Sequence, residues 1–155
     1  MKSEASNLAF LFEFKRYMKE FGEKEKGVEY LRRPGSYGVI IKNGRIGVLK
    51  AKGYDTYFLV GGGIDAGESE TETLRREAAE EIGFNIEIGE KIGGAIEYFY
   101  SEREKKYVAK ECHFYRVSLM NKADKKGKHE LVWITADELG AMHHRSYRWI
   151  LEREL

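Results

Sequence analysis

The chain begins with a stretch whose apolar positions fit two periods. Phe10, Phe14, Tyr17, Met18 and Phe21 fall on one side of an amphipathic helix. Leu8, Phe10, Phe12 and Phe14 alternate instead, as in a strand, and aromatic residues favour strands. Residues 1–20 are therefore expected to form an N-terminal extension, helix or strand, ahead of a single domain at 21–155. From residue 36 the pattern shortens. Two β-rich runs, 36–42 and 45–50, flank Asn43-Gly44, the pair that best tolerates the positive φ angles of a two-residue hairpin turn. A further short strand is expected at 57–60, running into Gly61, Gly62 and Gly63. Ser69 and Glu72 then form a capping box, Leu74, Ala78 and Ile82 share one side, and Gly83 stops the turn, so a helix is expected over 70–82. Aromatic, β-prone runs at 92–100 and 107–119 around the charged segment 101–106 predict a long hairpin. A basic loop at 121–128, a last strand at 131–134, a short helix capped by Thr135 and Glu138, and a final helix from Ser146 complete the chain. Strands mixed with two or three helices point to an α/β/α or α+β sandwich.

Composition narrows the possibilities. A length of 155 residues suits one domain with a proper core. With 42% hydrophobic and 34% charged residues, the chain has enough apolar surface to fold. Its 27 Lys and Arg nearly balance 26 Asp and Glu, a formal net charge of +1, so nothing draws it in bulk to a nucleic-acid polymer or an anionic membrane. Cys112 is the only cysteine and cannot close an internal disulfide. With no secretory pattern at the N-terminus, the sequence reads as cytoplasmic. The apolar run at 8–12 falls far short of the roughly 20 residues that span a bilayer.

The chemistry concentrates on the helix at 70–82. Glu77, Glu80 and Glu81 fall within one arc of about 100° beside its apolar side. Like charges at these spacings weaken a helix by a few tenths of a kcal/mol each unless cations offset them. Mg²⁺ binds through a few carboxylates, waters and substrate phosphates, which an acidic helix face beside a glycine-rich loop can provide. Read alone, such a face is more often solvated surface.

The wider spacing changes that reading. From Gly62, five residues lead to Glu68 and seven more to Arg76-Glu77-Ala78-Ala79-Glu80-Glu81-Ile82-Gly83-Phe84. This resembles the Nudix box, Gly-x5-Glu-x7-Arg-Glu-U-x-Glu-Glu-x-Gly-U with U apolar, at every specified position. The resemblance implies an α/β fold, a Nudix-type α/β/α sandwich with a mixed sheet, over residues 36–155. It also implies a divalent-metal-dependent pyrophosphohydrolase, using Mg²⁺ or Mn²⁺, that cleaves a nucleoside diphosphate linked to another moiety, such as a modified nucleoside triphosphate. Carried over by position, Glu77, Glu80 and Glu81 would be metal ligands, with a backbone carbonyl of Gly61 or Gly62 completing the set. Glu77 or Glu80 could instead be the general base. Arg76 would pair with Glu68 and hold the loop to the helix. Val60 stands where relatives often carry a proline, and Ala66 replaces another, which puts the rigidity of the loop in question.

Subgroup signatures divide further. Those for ADP-ribose, NADH and coenzyme A need prolines near the box, and Pro34 is the only one in the chain. Tyr100, sixteen residues after Phe84, resembles the tyrosine of the dinucleoside polyphosphate subgroup, although 97–100 is also an ordinary aromatic strand. Phe58, Tyr98 and Tyr100 are candidate stacking partners for a base. Glu130 stands where relatives supply a loop carboxylate, and equally where a strand edge carries a surface charge. Arg32, Arg33, Lys50 and Lys52 could meet phosphates but read first as solvated. His129, His143 and His144 lack zinc spacing with Cys112. The expected partner is a nucleotide-like diphosphate, with a homodimer admitted. The competing reading is a nucleotide-sensing domain without catalysis.

Overall fold

Asn43 and Gly44 take φ values of 52° and 74°, the turn their side chains favour. They join β2 (Leu31–Lys42) to β3 (Arg45–Lys50), with Lys42 opposite Arg45. The computed structural model describes residues 18–155. Expectations for residues 1–17 lie outside it. Residues 18–21 are strand: β1 (Met18–Phe21) runs parallel to β6 (Phe84–Ser101), so the sheet reaches across the expected boundary at residue 20.

The single strand expected at 57–60 is two. β4 (Tyr57–Phe58) pairs with β3, whereas β5 (Val60–Gly63) pairs with β2, and Leu59 is the buried junction between them. Gly61 makes the second pairing sterically feasible. Its φ is 143°, and a Cβ there would collide with the Ser36 carbonyl and with Tyr37.

Helix α1 (Glu70–Ile82) has the expected bounds. The Ser69 hydroxyl accepts the Glu72 N–H at 3.1 Å, and Gly83, at φ 70°, donates its N–H to the carbonyls of Ala78 and Ala79. The long hairpin is longer than the aromatic runs suggested. β6 starts directly after Gly83 and β7 spans Lys106–Lys122, with bulges between Phe84 and Gly93 that absorb irregular pairing. β8 (Glu130–Ile134) pairs with β3, a 3₁₀ turn spans Ala136–Ala141 with the Thr135 N–H on Glu138 Oε2 at 2.8 Å, and α2 (Arg145–Glu154) opens one residue ahead of Ser146.

The sheet is mixed, in the order β1-β6-β7-β2-β3-β4, with β5 added to β2 and β8 to β3. β2 and β7 are parallel. One cluster packs Leu74, Ala78 and Ile82 of α1 against Ile40, Leu49, Val60 and Val117. A second packs Tyr147, Ile150 and Leu151 of α2 with Val39, Ile46, Val48 and Phe114. Each buried aliphatic contributes roughly 1.5–3 kcal/mol, so apolar burial secures both helices. The expected α/β sandwich is thus formed. Among the described residues, no helix is long and apolar enough to cross a membrane.

Candidate active site

Two carboxylates of α1, with Glu68 from just ahead of it, gather around one guanidinium. Arg76 Nε and Nη2 bind the two oxygens of Glu68 at 2.7 and 2.9 Å, as its place in the box implied. Its Nη1 reaches Glu77 at 2.9 Å and Glu80 at 3.3 Å, and Nη2 also reaches the Gly63 carbonyl at 3.3 Å. One arginine therefore ties together the glycine loop, Glu68 two residues ahead of the helix and two helix carboxylates. It holds Glu68 down to about 2.

Glu81 turns the other way, where its Oε1 accepts the Gly61 N–H at 2.8 Å. Burial raises its pKa most, and the charges of Glu77 and Glu80 add to that, so it stands at about 8 despite the Gly61 bond. Burial also raises Glu77, against the pull of Arg76. Among the described residues, no three ligating side chains already converge on one point. The donor set nevertheless suits a hard divalent cation. Three carboxylates share one helix face, and burial together with the charges of the other two makes one of them resist ionisation. Gly62 leaves room for this arrangement, since a Cβ on it would lie 2.7 Å from the Glu77 carboxyl carbon and from Oε1.

Glu81 also lines a cleft of about 420 Å³. Its walls come from the ends of β3, β4 and β5, and its floor from β2, β7 and α2. Gly61, Gly62 and Gly63 form the edge nearest the carboxylates. Phe58 and Tyr54 form an aromatic wall, with ring centroids 5.1 Å apart, and His143 stacks on Phe58 at 4.5 Å. Lys52 stands in the wall, while Tyr37, Lys110, Tyr147 and His144 make the floor. Lys110 Nζ lies 2.5 Å from Tyr37 Oη and 4.6 Å from the centroid of that ring. Burial works to discharge Lys110, but Tyr37, Cys112 and Glu97 together outweigh it and the ammonium is held above its ordinary range. His144 is positioned by Glu97, whose oxygens lie 3.4 Å from His144 Nδ1 and 3.2 Å from the Ser146 N–H that they accept.

The other expected residues part company here. Phe58 and Gly61 are in the cleft. Tyr100 is 43% exposed, pairs with Tyr107 beside the far turn of the long hairpin and is not among the cleft residues. Tyr98 packs on Tyr30, also away from the cleft. Glu130 is exposed at the start of β8, opposite Lys50, and does not line the cleft. His129 does. Its N–H binds the Glu81 carbonyl at 2.8 Å, and its Nδ1 is buried with no hydrogen-bond partner among the described residues. Arg32 and Arg33 are engaged with Glu111 and Glu104. Tyr37, Lys110, Tyr147 and His144 were not singled out for the site by the sequence, because they come from three separate elements and none lies in a motif.

Solved structures share this architecture. A MutT protein from Methanosarcina mazei Go1 matches with a TM-score of 0.62 and 20% identity, over 82% of this chain and 95% of that one. The E. coli ORF135 protein matches at 0.60 and 21%, over 79% and 88%. A UDP-X diphosphatase matches at 0.51 and 18%, over 88% of this chain and 61% of its own. No curated protein matches by sequence. The NUDIX domain model matches residues 32–153, which takes in the box, both helices and all but the first strand. The chain therefore belongs to the Nudix family, as a hydrolase of pyrophosphate bonds in nucleoside diphosphate derivatives.

Proposed function

We propose that the chain cleaves the phosphoanhydride bond of a nucleoside diphosphate linked to another group, modified nucleoside triphosphates included, with Mg²⁺ or Mn²⁺ held by Glu77 and Glu81 beside Glu80. The observation that carries this reading is the junction at Glu81: the same carboxylate belongs to the acidic helix face and to the aromatic-walled cleft. A nucleotide in the cleft would place its base or sugar among Phe58, Tyr54 and Lys110 and its diphosphate at the helix. When bound, the cation supplies charge to the developing phosphate oxygens and acidity to a bound water.

The residues divide the remaining work. Arg76 holds Glu77 and Glu80 side by side and keeps the glycine loop against the helix. Glu80, the most exposed of the carboxylates that Arg76 engages on the helix and the more loosely held, accepts a proton from the attacking water. Lys52 meets phosphate charge from the rim. The Gly61 N–H orients Glu81. A sensor without catalysis has no need of this set, whose mutual repulsion weakens the helix.

The test is release of phosphate or pyrophosphate with Mg²⁺ across canonical and modified nucleoside triphosphates, dinucleoside polyphosphates and nucleotide sugars. Turnover that a chelator abolishes is expected for at least one class. Glu80→Gln should lower kcat by about 10²-fold or more with an unchanged melting temperature. Near-normal kcat in that variant would remove Glu80 from the chemistry, and silence of the folded wild type across the panel would remove the reading.

A further inference from the structure

Lys110 is a charge that the protein does not pair. It sits half-buried on β7, at the floor of the cleft, with Nζ on Tyr37 Oη and within 5.8 Å of the Tyr147 ring centroid. Among the described residues it has no ion-pair partner. Glu97, its opposite number across the β6-β7 ladder, acts on it only through space, because its oxygens serve His144 and Ser146. Buried ammonium groups are normally paired, since desolvation is costly and two faces of aromatic rings offset it only in part. An ammonium has three donors, and Tyr37 takes one. The Phe58 and Tyr54 rings, set edge to face, stand in the same cleft and offer a planar ring aromatic contact.

We infer that Lys110 is a specificity-determining residue that selects a substrate group presenting a hydrogen-bond acceptor or negative charge to the cleft floor, with a keto-bearing base as the favoured source and an acid on the other moiety as the alternative. This rests on the reading that a nucleotide occupies the cleft. A keto oxygen accepts what an ammonium donates, as lysine does at the O6 and N7 edge of guanine. An exocyclic amino group at the same place sets donor against donor and leaves the ammonium unsatisfied. Sites that hydrogen-bond one group reject an analogue lacking it more strongly than apolar pockets can.

Equilibrium binding without turnover decides the matter. GMP and UMP carry keto groups where AMP and CMP carry amino groups, and none needs the hydrolytic step. Calorimetric titration of the wild type should show the keto pair binding about tenfold or more tighter, with the ratio falling to about twofold or less in Lys110→Met. Lys110→Gln, which keeps a donor, should retain part of the preference, and both variants are checked for an unchanged fold by circular dichroism. A second arm, with metal chelated, compares a uridine diphosphate sugar acid with its neutral sugar. A preference there that Lys110→Met abolishes would put the acceptor on the sugar. Binding with no Lys110-dependent preference in either arm would overturn the inference alone, while failure of every nucleotide to bind the wild type would overturn it together with the reading beneath it.

Discussion

Gly62 leaves room for a carboxylate of the acidic helix face rather than for a core side chain. A Cβ at this position would meet first the Glu77 carboxyl group, the far end of a flexible side chain. Glu77 can swing aside at little cost in stability, but the move takes it out of register with Glu80 and Arg76. Misplacing a reacting group by about 1 Å can cost about 10²-fold in rate. Gly62→Ala is therefore expected to lower kcat by about tenfold or more while its melting temperature stays within a few degrees of wild type. Paired thermal melts and steady-state kinetics check this, and a large loss of stability with normal kcat per folded molecule would contradict it. Gly61 is different in kind. Its neighbours are the Ser36 carbonyl and the Tyr37 backbone, which cannot yield, so substitution there attacks the β2-β5 pairing itself.

Helix α1 is held at both ends, and the two attachments differ. At its start Glu70 Oε1 accepts Lys91 Nζ at 2.8 Å and the Tyr115 hydroxyl at 2.7 Å, fixing the helix to the long hairpin. At its end the loop leading to β8 folds back over the last turn: Ala123 N–H binds the Gly83 carbonyl, Lys128 N–H that of Glu80, and His129 N–H that of Glu81. These bonds satisfy carbonyls that a helix C-terminus otherwise leaves open, and they bring His129 to the cleft. Gly83 makes the attachment feasible. It is left-handed at φ 70°, and a Cβ would lie 2.8 Å from the Lys125 carbonyl and 2.9 Å from the Gly127 nitrogen, both backbone. Gly83→Ala should lose about 2 kcal/mol or more, from the left-handed strain and the displaced loop together. Urea denaturation measures it. A loss under about 0.5 kcal/mol would mean that the loop does not brace the helix.

At the scale of the whole molecule, what the sequence made legible was local. The box lies in one stretch from Gly62 to Phe84, so its spacing carries loop, cap, helix and carboxylates at once, and the Asn43-Gly44 turn needs only its two residues. The cleft floor is not local: Tyr37, Lys110 and Tyr147 meet because β2 and β7 run parallel and α2 closes over them, a pairing between residues about 70 positions apart. Tyr100 stands apart from the cleft for the same reason, since its distance from the box says nothing of the hairpin register that sends it to the far turn. Two buried carboxylates hold this non-local part together. Burial raises both Glu97 and Glu111, but His144 and Ser146 outweigh it at Glu97, as His113 and Arg32 do at Glu111, and each is held down to about 2. A carboxyl whose folded pKa lies below its unfolded value stabilises the fold above the unfolded value, near 4.5, and that contribution is lost as pH falls toward 2. The two together are worth a few kcal/mol by linkage, on the order of 2 kcal/mol each. The urea midpoint should therefore fall steeply between about 4.5 and 2, below the range in which Glu81, held up at about 8, takes up its proton in the fold. Glu97→Gln should start lower at pH 7, because His144 and the Ser146 N–H lose a charged partner, and then decline less steeply with acid. A wild-type midpoint that stays level down to pH 3 would show that neither pair anchors the cleft floor to the hairpin.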